Sequence, residues 1–134
     1  MSLSVDGANL SLAAMYGDDH AATIGATITV QLGTLVDGLF VELDDTTYPG
    51  YASVDVDNDA TVFPAPSGGQ LDTDAINVCT ATSAWPDAPS HWRTLDGVTV
   101  LDVGALDNDS GAIPTAGGLV STRLSIFYNA PGSD

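Results

Sequence analysis

The sequence has no lysine and only two arginines, Arg93 and Arg123, against 18 acidic residues, which gives a formal net charge of −16. Nucleic-acid binding depends on clustered cations that displace counterions from the phosphates, so this composition argues against a nucleic-acid partner. Anionic lipid headgroups would also be repelled by such a surface. We therefore expect the chain to bind neither nucleic acid nor membrane.

Cysteine and long apolar runs are scarce as well. Cys79 is the single cysteine, so no disulfide can form within the chain, and we interpret it as a small buried hydrophobic residue. No apolar run approaches the roughly 18 residues of a membrane span. The opening segment, MSLSVDGANL, lacks the basic and apolar blocks of a signal peptide, so we expect cytoplasmic synthesis without a cleaved export signal.

Signatures of catalysis are missing too. The sequence contains no GxSxG nucleophile elbow, no HExxH motif, no cysteine pair and no phosphate-binding loop. With no lysine, one glutamate (Glu42) and two histidines (His20 and His91), few groups can be tuned for acid–base chemistry near neutral pH. We expect no enzymatic activity, no catalytic residues and no cofactor.

The acidic excess itself favours a source that lives at high salt. In molar salt the Debye length falls to about 3 Å, so dense like charges stop repelling one another beyond contact. A coat of carboxylates then keeps the protein hydrated. The alternative is an acidic surface from a non-halophilic source that faces a cationic partner.

Length and apolar content fit a single folded domain, 1–134, since 44% of the residues are apolar. A helical segment is predicted within 1–19, where Asp6 is the N-cap, Gly17 is the stop, and Leu10, Ala13 and Ala14 share one face. The rest, 23–130, is predicted to form a β-sandwich.

Six segments alternate with the period of two that is typical of strands: 26–32, 38–44, 51–57, 74–81, 97–106 and 119–129. In four of the segments apolar residues share one face of the strand: Ile28, Val30 and Leu32; Leu39, Val41 and Leu43; Val54 and Val56; Ile76 and Val78. In 119–129, Val120, Leu124, Ile126 and Tyr128 are predicted to form the inner face. Segment 97–106 is apolar on both faces, which predicts a central strand. Turn-forming residues separate the segments, so the predicted fold is all-β, an antiparallel β-sandwich or jelly-roll-like fold with one short N-terminal helix.

Two aspartate clusters are the candidates for a cation site. Asp55, Asp57 and Asp59 resemble the start of a calcium loop, but Ala60 and Pro66 stand where that loop needs glycine and an acidic residue. We interpret these three as a solvated strand face and keep a weak cation site as the alternative. Asp107 and Asp109 precede Ser110-Gly111 and are predicted to form a turn rather than to bind metal.

Four residues are candidates for contacts with a partner. Arg93 and Arg123 are expected to pair with carboxylates, either within one subunit or across a subunit contact. Arg123 lies opposite Leu124 in its strand and is predicted to point outward. Trp85 and Trp92 are either exposed anchors for a partner or, as we favour, packed in the core or under a loop.

Several segments resemble a family of small tailed-virus proteins, labelled tail-fibre or minor head proteins, some of which coat capsids as decoration subunits. The resemblance covers most of the chain in order: ANLSLAAMYG, ATITVQL, the Tyr-Pro-Gly-Tyr-Ala turn leading to 60–64, the Trp85 turn, SHWRTLDGVTVLDVGAL and PTAGGLVSTRLSIFYN. The chain departs from the family at Arg93 and Thr94, where small apolar residues are typical, and in its stronger acidic bias.

The resemblance implies a virion structural protein, a decoration or cement subunit on the outer surface of the head, made in the cytoplasm of a halophilic host. The implied partners are copies of itself, with a homotrimer favoured over a pentamer, and the major capsid protein. The alternatives are a turret, head-fibre or tail-fibre subunit and, in another class, a module that binds glycan or calcium at the host surface. The family carries no catalytic residues.

Overall fold

The computed structural model describes residues 5–106 and 113–127. Every strand pair in these residues is antiparallel, which confirms the predicted all-β, sandwich-like fold with one short helix. The elements are α1 (Val5–Met15), β1 (Thr27–Val36), β2 (Leu39–Glu42), β3 (Val54–Asp57), β4 (Gln70–Asp72), β5 (Ile76–Thr80), β6 (His91–Asp96), β7 (Thr99–Ala105), β8 (Leu119–Thr122) and β9 (Ser125–Phe127).

Strand β1 organises the main sheet, whose order is β2-β1-β6-β7 with β3 also paired to β1. Its 10 residues are long enough for two partners along one side, β3 at Thr27–Val30 and β2 at Gly33–Val36. On its other side, Thr29–Gly33 pair with β6. The described part of the chain adds two smaller sheets, β4-β9 and β5-β8.

Two tight turns set the hairpins of the main sheet. Asp37 and Gly38 join β1 to β2 with φ values of 54° and 79°, the positive pair of a type I′ turn, whose twist matches the strands. Gly97, with φ 62°, begins the two-residue turn between β6 and β7. Because β1 and β6 are antiparallel, the two turns lie at opposite ends of the sheet.

The core joins the inner face of β1 to the two smaller sheets. Ile28, Val30 and Leu32 are at most 1% exposed, as the alternation predicts. Their counterparts from the other elements are Leu71, Ile76, Val78, Val120, Leu124 and Ile126, which are all buried. Val120, Leu124 and Ile126 were predicted to face inward, Ile76 and Val78 to share one face, and Val54 and Val56 pack partly buried against the same cluster.

The helix buries a different face from the predicted one. Ala8, Leu12 and Tyr16 are buried, whereas Leu10 is 73% exposed. The reason is tertiary: the Tyr16 ring stacks on Phe63 with centroids 4.9 Å apart, which turns the i, i+4, i+8 stripe inward. Asp6, the predicted N-cap, lies inside the helix.

Past the helix end, Gly17 has the left-handed φ of 94° expected of a stop. The buried Asn58 holds this end in place. Its Oδ1 accepts the Gly17 N–H at 2.7 Å, and its Nδ2 donates to the carbonyl oxygens of Met15 and Gly25 at 2.9 and 3.3 Å. One side-chain amide therefore ties the helix end to the chain that enters β1.

The alternating face of segment 38–44 is only partly covered. Leu43 is buried, whereas Leu39 and Val41 are 71% and 47% exposed because β2 extends past the core. The prediction for another segment needs correction. Segment 97–106 was predicted to be central, yet in the described residues β7 is an edge strand that pairs with β6, and β6 is interior.

The predicted strand 119–129 is broken. It divides into β8 and β9, which pair with β5 and β4 respectively. Thr73 fixes the break because its backbone N–H donates to the Leu124 carbonyl and its Oγ1 accepts the Leu124 N–H, both at 2.9 Å. Strand β4 was not predicted, and Tyr128 lies outside the described residues.

Candidate interaction surface

Asp55, Asp57 and Asp59, considered as cation ligands, form no metal-binding cluster in the described residues. Asp55 and Asp57 lie exposed on β3, and the Thr29 hydroxyl donates to Asp55 Oδ1 at 2.7 Å. Asp59 follows the strand and accepts the backbone N–H groups of Thr61 and Val62, so it forms a turn. Among residues 5–106 and 113–127 no group of three or more His, Cys, Asp or Glu could hold a metal ion, and Asp107 and Asp109 lie outside these ranges.

Trp85 packs under a loop and presents no anchor on the surface of one protomer. It is 3% exposed, its indole N–H donates to the Pro49 carbonyl at 2.9 Å, and its ring meets Tyr48 edge-on at 5.4 Å. It thereby supports the Tyr-Pro-Gly-Tyr turn, in which the Tyr51 N–H donates to the Tyr48 carbonyl at 2.9 Å and Gly50 has φ 92°. Burial raises the pKa of Tyr48 to about 12, together with the carboxylate of Asp87, whose Oδ1 accepts a hydrogen bond from the Tyr48 hydroxyl.

Trp92 is 2% exposed and faces the core from β6. It lies directly across Gly104 of β7, where a Cβ atom would collide with the indole ring. Both tryptophans are therefore packed inside the chain, and neither is an exposed anchor in this structure.

Arg123 is exposed between β8 and β9, pointing outward as predicted. It borders an open groove of about 880 Å³. Polar groups of Asp72, Thr122 and Ser125 line the groove together with apolar side chains, among them Ile113 and Leu119. The groove can offer hydroxyl and carboxylate oxygens beside one guanidinium.

Arg93 makes a different set of contacts from those expected. Its Nε and Nη2 both donate to Gln31 Oε1, at 2.8 and 2.5 Å, and its guanidinium carbon lies 4.5 Å from the centre of the Phe40 ring. Neither of these two partners carries charge, and the pairing of Arg93 with a carboxylate stays a prediction. Gly33 makes room for the arrangement, because a Cβ there would lie 2.7 Å from Phe40 Cζ.

These residues belong to one patch, half-buried at Gln31, Phe40 and Arg93 and exposed at Leu35 and Val103. We call it the outer belt: Gln31 and Leu35 of β1, Phe40 of β2, Arg93 of β6 and Val103 of β7. The strand registers place Gln31 beside Arg93, Arg93 beside Val103, and Leu35 beside Phe40, on the face opposite Ile28 and Val30. Leu35 and Val103 are 43% and 47% exposed. The belt contains one cation, and the carboxylate of Glu42 lies on the same face, where Glu42 pairs with Gly33.

A second exposed patch is the apolar arm, residues 34–41. It is the end of the β1–β2 hairpin. Pairing between β1 and β6 stops at Gly33 and His91, and the arm extends beyond that point. On the face that continues from the core, Val36, Leu39 and Val41 are 53%, 71% and 47% exposed. Asp37, in the turn, is the one charged residue of the arm.

A buried polar cluster links the helix to the main sheet, and sequence reasoning missed it. The Tyr16 hydroxyl donates to Asp102 Oδ2 at 2.5 Å and lies 2.8 Å from Thr94 Oγ1. Burial raises the pKa of Asp102, and burial together with the nearby carboxylate raises that of Tyr16. Tyr16 and Thr94 are at most 1% exposed, so the cluster joins α1 to β6 and β7 rather than meeting a ligand.

Comparisons with known protein families, with curated proteins and with solved structures found no match to this chain. The likeness to tailed-virus proteins therefore stays a prediction. Within the described residues, no helix is both long enough and apolar enough to cross a bilayer.

Proposed function

We propose that this chain is a virion structural subunit, a decoration or cement protein on the outer surface of the head of a tailed virus with a halophilic host. It would act by binding copies of itself, with a homotrimer favoured over a pentamer, and by binding the major capsid protein. The segments that resemble the decoration family support this proposal, and so does the exposed apolar surface of the described residues.

The apolar arm is the observation on which the proposal mainly depends. Leu39 is 71% exposed and its neighbours Val36 and Val41 are about half exposed, although the chain has 18 acidic residues with which to cover its surface. Contiguous exposed apolar residues mark sites of protein contact in soluble proteins. A hairpin that extends past its own core is suited to bury that surface against a neighbouring subunit.

Leu39→Asp tests the arm, with Leu10→Asp as its control. The two leucines are 71% and 73% exposed, so the substitutions add the same charge at similar exposure, on the arm and on α1. We expect Leu39→Asp to weaken self-assembly or capsid binding by about tenfold or more, because a carboxylate would be buried in the contact. Light scattering in molar KCl and co-sedimentation with capsids measure the two effects.

Location on the particle is the direct test of the function. Cryo-electron microscopy of the virus that encodes the chain should show its density on the outside of the head. Density in a turret, head fibre or tail fibre would place it elsewhere in the same structural class. Absence of the chain from purified particles, or equal behaviour of the Leu39 and Leu10 variants, would contradict the proposal.

A host-surface recognition module is the second candidate, and the groove beside Arg123 favours it. Hydroxyl groups of Thr122 and Ser125 with the carboxylate of Asp72 could bind a sugar. The buried Trp85 does not supply the exposed aromatic that such a module would use in the 85–90 loop. Calorimetry with cell-wall sugars and with calcium distinguishes this module from a decoration subunit, which needs neither.

A further inference from the structure

Aspartate-glycine pairs stand at both hairpin turns of the main sheet. Asp37-Gly38 forms the β1–β2 turn at the end of the apolar arm, and Asp96-Gly97 stands where β6 turns into β7. A third pair, Asp6-Gly7, lies within α1. After an aspartate, the backbone nitrogen of glycine can approach the side-chain carboxyl readily, because glycine has no side chain to hinder it. The two turns give this approach different chances.

The surroundings of Asp96 hold its carboxylate in place. Its Oδ1 accepts a hydrogen bond from the Gly25 N–H at 3.2 Å, on the segment that enters β1. Asp96 also pairs with Thr99 at the end of β6, a strand with β1 on one side and β7 on the other. Bringing the Asp96 carboxyl to the Gly97 nitrogen therefore requires breaking this bond and opening the end of an interior strand.

The turn at Asp37 is less restrained. Asp37 and Gly38 are both exposed, and a Cβ atom on Gly38 would meet nothing within 4 Å. In the described part of the chain, Asp37 is the one non-glycine residue with a positive φ, a conformation that costs an L-residue free energy.

The arm that carries this turn can open by itself. In the described residues it consists of β1 and β2 alone beyond Gly33, and a two-stranded hairpin is marginally stable in water. Weakly supported segments open locally while the rest of a protein stays folded. The Asp37 carboxyl can therefore reach the Gly38 nitrogen without any loss of the main sheet.

We propose that Asp37 is a site of spontaneous modification, at which aspartate isomerises to isoaspartate through a cyclic imide. The Gly38 nitrogen attacks Cγ of the protonated Asp37 carboxyl and loses its proton, while a C–O bond breaks and water leaves. Water then opens the ring at one of its two carbonyl carbons. Attack at Cγ restores aspartate, and attack at the main-chain carbonyl carbon of Asp37 leaves isoaspartate, with no net change in composition.

Isoaspartate lengthens the turn. Its main chain runs through Cβ and Cγ, which adds one carbon atom between Val36 and Leu39. A two-residue turn with positive φ values matches the twist of its strands, so the added atom disturbs the pairing of Val36 with Leu39. Both side chains belong to the apolar arm, so the modification should weaken the contact proposed for it. This consequence rests on the proposed function, whereas the isomerisation does not.

Peptide analysis of the full chain tests the site. The chain is kept for weeks at mildly acidic pH, diluted below the concentration at which it assembles. Electron-transfer fragmentation of its proteolytic peptides distinguishes isoaspartate from aspartate, which have the same mass. We expect isoaspartate to form about tenfold or more faster at Asp37 than at Asp96, because the arm opens locally. In urea, which unfolds both turns, the two rates should become similar.

Asp37→Asn and Asp96→Asn are a matched pair that tests the same ring closure. Ammonia leaves in place of water, and each completed reaction converts the amide to a carboxyl, so whole-chain mass reports the rate. Asparagine-glycine is a favoured type I′ pair, so Asp37→Asn keeps the turn. Deamidation should again be about tenfold or more faster at position 37. Equal rates at the two positions in the folded chain, or isoaspartate at Asp96 alone, would overturn the proposal.

Light scattering gives a separate readout for the arm. Chains isomerised at Asp37 are separated from unmodified chains by ion-exchange chromatography, and both are compared in molar KCl. We expect isomerisation to raise the dissociation constant of the assembly about tenfold or more. Equal assembly of the two forms would contradict the contact proposed for the arm, while the peptide analysis decides the isomerisation independently.

Discussion

At the scale of single residues, the interior polar groups each have a specific partner. The Tyr51 hydroxyl accepts a hydrogen bond from the Leu32 N–H at 3.2 Å and donates one to Glu42 Oε2 at 2.7 Å. Leu32 lies between the part of β1 that pairs with β3 and the part that pairs with β2. Burial and Glu42 raise the pKa of Tyr51. Tyr16, Thr94 and Asp102 form a second hydrogen-bonded group around a buried tyrosine hydroxyl. Tyrosine hydroxyls therefore connect elements far apart in sequence while satisfying buried polar atoms.

Asp102→Asn is expected to stabilise the fold near neutral pH. Burial raises the folded-state pKa of Asp102 above its ordinary value of 3.8, so the folded chain binds this proton more tightly than the unfolded chain. The free energy of unfolding therefore falls as pH rises from about 3.8 through the raised pKa, and it stays lower above it. Asparagine keeps an acceptor for Tyr16 and cannot ionise. Urea unfolding across pH 3 to 8 measures the effect.

Asp57→Asn is the control for the lost charge, since Asp57 is exposed on β3. The stability gain of Asp102→Asn over Asp57→Asn should grow as pH rises through the raised pKa of Asp102. A gain for Asp102→Asn that is no larger than that for Asp57→Asn at pH 7 would show that the buried carboxylate carries no such penalty.

At the scale of elements, the alternation of apolar residues predicted which segments are strands better than which face is buried. The inner face of β1 was predictable because three apolar side chains alternate with polar ones. The same alternation in 38–44 does not show that Leu39 and Val41 are exposed, since apolarity shows that a side chain avoids water but not which chain covers it. The outer belt and the edge position of β7 depend on long-range pairings that no local pattern contains.

The contact between the end of the helix and the start of β1 could not be predicted from a local pattern either. Asn58, whose Oδ1 accepts a hydrogen bond from the Gly17 N–H, lies 41 residues away from it in the sequence. Asn58→Ala should lower the free energy of unfolding by about 2–4 kcal/mol, since it leaves buried backbone groups without partners. Asn77→Ala, at an exposed position of β5, is the matched control. Hydrogen exchange of the Gly17 amide should quicken in the Asn58 variant only. Equal losses of stability in the two variants would contradict this role.

At the scale of the whole molecule, the aspartates do more than coat the surface. Asp44 accepts the Thr47 N–H at 2.6 Å, which holds the pKa of Asp44 below its usual range. Asp45 accepts the Gly50 N–H at 2.8 Å, and Asp18 accepts the Ala60 N–H at 3.1 Å. Several of the negative charges are therefore used in turns.

This charge distribution predicts that assembly depends on salt. Three copies together carry −48, three times −16, and the Debye length grows from about 3 Å at 1 M to about 30 Å at 0.01 M salt. Repulsion between copies then reaches across the assembly, so the particle mass measured by light scattering should fall toward that of the monomer as KCl is lowered. Sulfate and chloride at equal ionic strength screen charge alike, but sulfate also strengthens apolar burial. Equal masses in the two salts would assign the effect to screening, and a mass unchanged from molar to millimolar KCl would contradict it.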